Sequence, residues 1–206
     1  MRILLSMGVC VMCAAAMIGS AVIAVQPEPP VKPTVEDMKK HMEAMAAIGQ
    51  PGPANRLLEQ RAGSYSITIR MWMDGNDRSS PPLESTGEAT LRAVLGGRFL
   101  MQDETATLAG EKITSIKYWG YSKDTQEYEA VWSYTGSTTM MILKGKSTDE
   151  GKTVRYRCDT VVAGQKERYD IVVSQLTPES FSIELVGIME NGAKGAALLS
   201  TYVRKK

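Results

Sequence analysis

From Ser64 to the C-terminus the hydrophobic period of the chain is two, and no interval between turn signals is long enough for a crossover helix. A parallel strand pair needs a connection of about a dozen residues or more. Each strand should therefore pair antiparallel with the one before it. Tyr65, Ile67, Ile69, Met71 and Met73 alternate with Ser66, Thr68, Arg70 and Trp72, the pattern of a strand with one buried face. Turn residues recur at 74–82, Gly96-Gly97, Ala109-Gly110, 122–125, Gly136, 149–151, Ala163-Gly164, Thr177-Pro178 and Asn191-Gly192, so nine breaks separate ten strands. Asn191-Gly192 is the strongest single hairpin signal among them. Ten hairpin-linked strands tend to close on themselves, because closure removes exposed edges. The expected fold is mainly β, an up-and-down antiparallel barrel of about ten strands.

Two helices should precede it, over residues 34–62. Thr34 and Asp37 have capping-box spacing, and Val35, Met38, Met42, Met45 and Ile48 recur at helical intervals before Gly49 and Pro51 stop the run. A second helix is expected from Ala54 to Ala62, ended by Gly63. The barrel domain then occupies 63–206.

Upstream, residues 3–25 are almost wholly apolar, with Arg2 the only charge and Val22-Ile23-Ala24 an A-x-A-like exit. This reads as a signal peptide over 1–24 and an exported, periplasmic or extracellular protein. The competing reading is an uncleaved anchor, since about 20 apolar residues can span a bilayer. Cys10 and Cys13 lack the small preceding residue that lipidation requires. Residues 25–33 form a Pro-rich spacer.

Composition narrows the function. The chain carries 24 Lys and Arg against 23 Asp and Glu, and loss of Arg2 with the signal makes the balance even. No basic excess points to nucleic acid. Cleavage also leaves Cys158 alone, so the fold has no disulfide and must rest on its core. Cys158 lies on an apolar strand face, which favours a buried, inert thiol. The one histidine, His41, precedes the barrel. A Ser-His-Asp triad, a histidine-rich zinc site and a histidine-ligated haem of the nitrobindin type therefore lack their residues. Gly96-Gly97 has no following helix or Lys to make a phosphate loop. Asp103 and Glu104 are neighbours on a strand and must face opposite sides. No cofactor is called for.

Two sets of residues remain. Met38, His41, Met42 and Met45 share one side of the first helix, and thioethers with imidazole suit Cu(I). The plainer expectation for that stripe is packing on the barrel or over its mouth. The second set is Arg98, Trp119, Tyr128, Trp132, Tyr134, Met140 and Tyr156. The strand residues among them would line a pocket, and Arg98 would hold an acidic head group. A filled core is the alternative, because barrels of this width are often packed solid.

"PGPANRLLEQRAGSY", "LGGRFL", "WGYSKDTQEYEAVW" and "TYVRK" occur in an order and spacing that resemble the Domain of Unknown Function (DUF) 1579 family of bacterial lipocalin-like, calycin-type barrels. The resemblance covers about residues 34–205. It implies a barrel with a possible internal cavity and no established activity. Two departures stand out: the family tends to have His where this chain has Asn55, and Trp where it has Tyr65. Three readings follow. The first is an exported barrel that binds a small apolar or amphipathic ligand non-catalytically. The second is a filled structural or protein-interaction module of the cell envelope. The third is a weak hydrolase or isomerase.

Overall fold

A computed structural model describes residues 32–206 apart from 74–77 and 163. The signal segment over 1–24 and most of the spacer lie outside the described residues. Among those described, no helix is long and apolar enough to cross a membrane.

Helix α1 spans Val35–Ile48 and α2 spans Pro53–Glu59. Thr34 caps α1: its Oγ1 accepts from the Asp37 amide at 3.1 Å, and Asp37 Oδ2 accepts from the Thr34 amide at 3.0 Å. The helix is thus closed locally, as its sequence predicts. Its packing is not as expected. No residue of α1 is buried, and Met38, Met42 and Met45 are all more than half exposed. The Met stripe therefore covers neither barrel wall nor mouth.

Helix α2 is shorter than the expected 54–62. Pro53 supplies the preset φ of its first turn, and Asn55 anchors it. Asn55 Oδ1 accepts from the Gly52 amide at 2.9 Å, and its Nδ2 donates to the Arg98 carbonyl at 3.0 Å. Gly63 follows with φ +153°, where a Cβ would also collide with the Arg204 guanidinium. Only glycine makes this bend from helix to strand without strain.

Ten strands follow: β1 Gly63–Trp72, β2 Leu83–Val94, β3 Phe99–Leu108, β4 Glu111–Ser122, β5 Glu127–Tyr134, β6 Met141–Ser147, β7 Thr153–Val162, β8 Gln165–Thr177, β9 Ser180–Met189 and β10 Lys194–Arg204. Each pairs antiparallel with its predecessor, and β1 pairs with β10 to close the barrel. The two-residue turn between β3 and β4 shows how the breaks work. Ala109 and Gly110 carry φ of 49° and 87°, the two positive values of a type I′ hairpin, and Leu108 then faces Glu111 across the pair. Trp72 points outward but is buried, its indole donating to the Ser80 carbonyl at 3.1 Å.

Candidate functional site

The barrel interior has three zones. The end covered by α2 is solid. Leu58 enters from α2 and Arg61 from the turn after it; both are buried. Phe181 stacks on Tyr202 at 4.3 Å between ring centres, and Tyr65 meets Phe181 edge-on at 5.3 Å. Trp119 tilts against Tyr156 at 5.7 Å. The Arg61 guanidinium lies 5.6 Å from the Phe181 ring centre and donates to Gln175 Oε1 at 3.2 Å. Burial lowers its pKa, and burial likewise raises the pKa of Tyr65, Tyr128 and Tyr156 beside it.

A polar belt closes this zone. Glu104 Oε2 accepts three hydrogen bonds: from Lys117 Nζ at 2.5 Å, Gln102 Nε2 at 2.8 Å and the Tyr202 hydroxyl at 2.8 Å. Gln102 Oε1 in turn accepts from Trp119 Nε1 at 3.0 Å. Lys117 is 1% exposed, and its ammonium also donates to Ser115 Oγ at 3.2 Å and lies 4.4 Å from the Trp132 ring centre. Burial drives the Lys117 pKa down, and the attraction of Glu104 opposes it. Burial, together with the Glu104 carboxylate, pushes the Tyr202 phenol well above the usual tyrosine range. All three of these bonds to Glu104 fall on Oε2 and none on Oε1, and among the described residues Trp132 Nε1 is buried without an acceptor. A buried polar atom left unpaired costs about 1–3 kcal/mol.

Beyond the belt the barrel is hollow. A cavity of about 510 Å³ opens toward the end away from α2. Ile69, Leu108, Ile113, Met141, Ile183 and Leu198 form much of its apolar wall, with Glu104, Ser115, Ser200 and Tyr202 on its inner side. Glu167 also lines it and accepts from the Tyr169 hydroxyl at 2.6 Å.

The residues expected to line a pocket divide between these zones. Trp132 and Tyr134 line the cavity. Trp119, Tyr128 and Tyr156 sit in the hydrophobic core outside the cavity's lining, together with Leu58. Met140 is 63% exposed, one residue out of phase, and Met141 occupies the inward position instead. Arg98 lies in the β2–β3 turn, its guanidinium donating to the Leu95 carbonyl at 3.0 Å, at the α2 end of the barrel. It does not reach the cavity and offers no acid-binding group there. Met38, His41, Met42 and Met45 lie on the exposed helix α1, away from both zones. Cys158 is buried, and burial raises its pKa. Asp103 and Glu104 do face opposite sides: Asp103 pairs with Arg92 outside at 3.3 Å while Glu104 enters the belt.

The belt is what sequence reading missed. Its signal was present in β3, where Leu100, Gln102, Glu104 and Ala106 share one face, and in β4, where Ile113, Ser115, Lys117 and Trp119 do.

A closed ten-stranded antiparallel barrel, with one end packed and the other hollow, is a lipocalin-like architecture. The chain belongs to the family described as "Protein of unknown function (DUF1579)", whose model matches residues 50–204. No curated protein matches the chain. Among solved structures, Rv2717c from M. tuberculosis is similar over 76% of this chain and 100% of its own, at 14% identity and a TM-score of 0.50. The S-type phycobiliprotein lyase CPES from Guillardia theta is similar over 78% of this chain and 97% of its own, at 12% identity and a TM-score of 0.48. At such identities the likeness concerns the fold alone.

Proposed function

We propose that this protein is exported and binds one small, largely apolar molecule in the hollow half of its barrel, without transforming it. The observation that carries the reading is the cavity of about 510 Å³ with its apolar wall, a size and lining typical of small-molecule sites. The apolar run over residues 3–25, with its small-residue exit, supports export. The binding role is read as non-catalytic because the belt's cation is already engaged. The Lys117 ammonium is held by Glu104 and Ser115, and the one histidine lies on α1. The filled-barrel reading describes the α2 end and fails for the other.

Native mass spectrometry of the mature chain, purified gently from its own host, tests the proposal. An added mass that recurs across preparations and is lost on denaturation is the expected result. A bare mass throughout, with no uptake of apolar probes, would overturn it and turn attention to the protein's outer surface.

A further inference from the structure

Among the described residues, the charged ones that line the cavity are Glu104 and Glu167, and no Lys, Arg or His lines it. Lys117 balances Glu104 from behind, with its ammonium engaged by Glu104 Oε2 and Ser115 and packed on the Trp132 ring. Lys112, Lys166 and Lys194 at the open end are exposed on the outside. A carboxylate entering this space would thus meet two carboxylates, and no free cation among the described residues would compensate for its lost hydration. A donor meets the opposite situation. All three hydrogen bonds to Glu104 fall on Oε2, which leaves the lone pairs of Oε1 without a donor among the described residues. Glu104 lines the cavity, so this acceptor is within reach of a bound molecule.

We infer that the cavity selects an apolar molecule ending in a hydrogen-bond donor, an alcohol or an amine, over one ending in a carboxylate, with Glu104 Oε1 receiving the donor. The inference rests on the binding role proposed above and specifies its ligand class. It also reverses the expectation that an arginine holds an acidic head group.

The test is displacement of the neutral fluorophore N-phenylnaphthylamine from the mature protein at neutral pH by decylamine, decanol and decanoate, whose chains match. The amine and the alcohol should displace the probe at concentrations at least about tenfold below decanoate, the discrimination expected when a buried polar group is satisfied rather than left unpaired. Decanoate competing equally or better would overturn the inference while leaving the binding role intact. A probe that does not bind at all would overturn both. The double variant E104Q/K117M removes the ion pair together and strands no charge. It should bring alcohol and decanoate within about threefold of each other, since the donor then meets an amide in place of a carboxylate. A preference unchanged in that variant would remove Glu104 from the account. The wild-type ranking stands as a test even if the variant does not fold.

Discussion

The two ends of this barrel share the same ten strands and the same in–out alternation, yet one is solid and the other hollow. Two things differ. The solid end has a plug: α2 and its following turn insert Leu58 and Arg61 among Tyr65, Tyr128, Tyr156 and Phe181. Among the described residues the hollow end has no inserted element, and many of its wall positions are small, including Ala106, Ser115, Gly187, Gly195, Ala196 and Ser200. A barrel of this strand number can be filled or can hold one small ligand. Here side-chain size and one short helix decide the matter separately for each half. The belt of Gln102, Glu104, Lys117 and Tyr202 marks the division. It also makes the cavity's inner end polar, where a fully apolar barrel would offer no orientation to a ligand.

The largest effect should come from splitting the belt. E104Q alone leaves Lys117 buried beside an uncharged amide, and removing one partner of a buried pair costs about 3–5 kcal/mol. The double variant E104Q/K117M should recover most of that loss. Urea unfolding of the two proteins measures both, and equal losses would mean that the pair is not buried as described.

The ends themselves come next. F181A deletes a ring packed between Tyr65 and Tyr202 and should cost about 3–5 kcal/mol. L185A at the hollow end removes atoms that already border empty space. Its cost should be nearer 1 kcal/mol, because little packing is lost and the existing cavity only widens. Similar losses for the two variants would erase the distinction between solid and hollow.

Alkaline pH should act through the solid end and the belt. Tyr156 and Tyr202 keep their protons above the usual tyrosine range because they are buried. In the unfolded chain tyrosine ionises near pH 10. The contribution is fully present below that pH and is lost as pH rises toward the folded values, since the folded state then binds more protons. Each such tyrosine contributes a slope of up to about 1.4 kcal/mol per pH unit. Lys117 has the opposite sign: its lowered pKa makes stability rise with pH, and only up to the unfolded value near 10.5. Y156F should therefore flatten the fall in stability above pH 10, and an unchanged slope would place Tyr156 in contact with water. The smallest effect is reserved for α1. M42A and M45A should alter stability by less than about 0.5 kcal/mol, because the helix buries nothing; a larger loss in thermal unfolding would mean that the stripe is covered.

The strands and the closure were legible because period-two alternation and turn residues are local properties, and each break from Gly96-Gly97 to Asn191-Gly192 falls between two strands. Two of the aromatics that line the cavity, Trp132 and Tyr134, were legible for the same reason. Met140 failed by one residue of phase, since neighbouring methionines give alternation nothing to choose between. Lys117 was hidden more deeply. On β4 the apolar Ile116 and Tyr118 face solvent, at 42% and 43% exposure, while Ser115 and Lys117 face inward. Hydrophobicity alone leaves the facing of that four-residue stretch undecided. What justifies its register is Glu104 on the adjacent strand, a contact between strands that single-strand patterning does not contain. The place of Arg98 was left open between cavity and solvent, because its turn belongs to the α2 end and which end of a closed barrel a loop serves depends on the whole topology. The split between the halves was out of reach likewise, because it depends on where α2 lands.

The most direct test of the divided interior is titration of three proteins with N-phenylnaphthylamine: the wild type, L185W/L198W and L58A. Leu185 and Leu198 face each other across β9 and β10 in the cavity wall, while Leu58 plugs the opposite end. The account predicts saturable binding by the wild type, its loss when the two tryptophans fill the hollow half, and affinity retained in L58A. Undiminished binding by L185W/L198W would place the probe elsewhere and contradict the account.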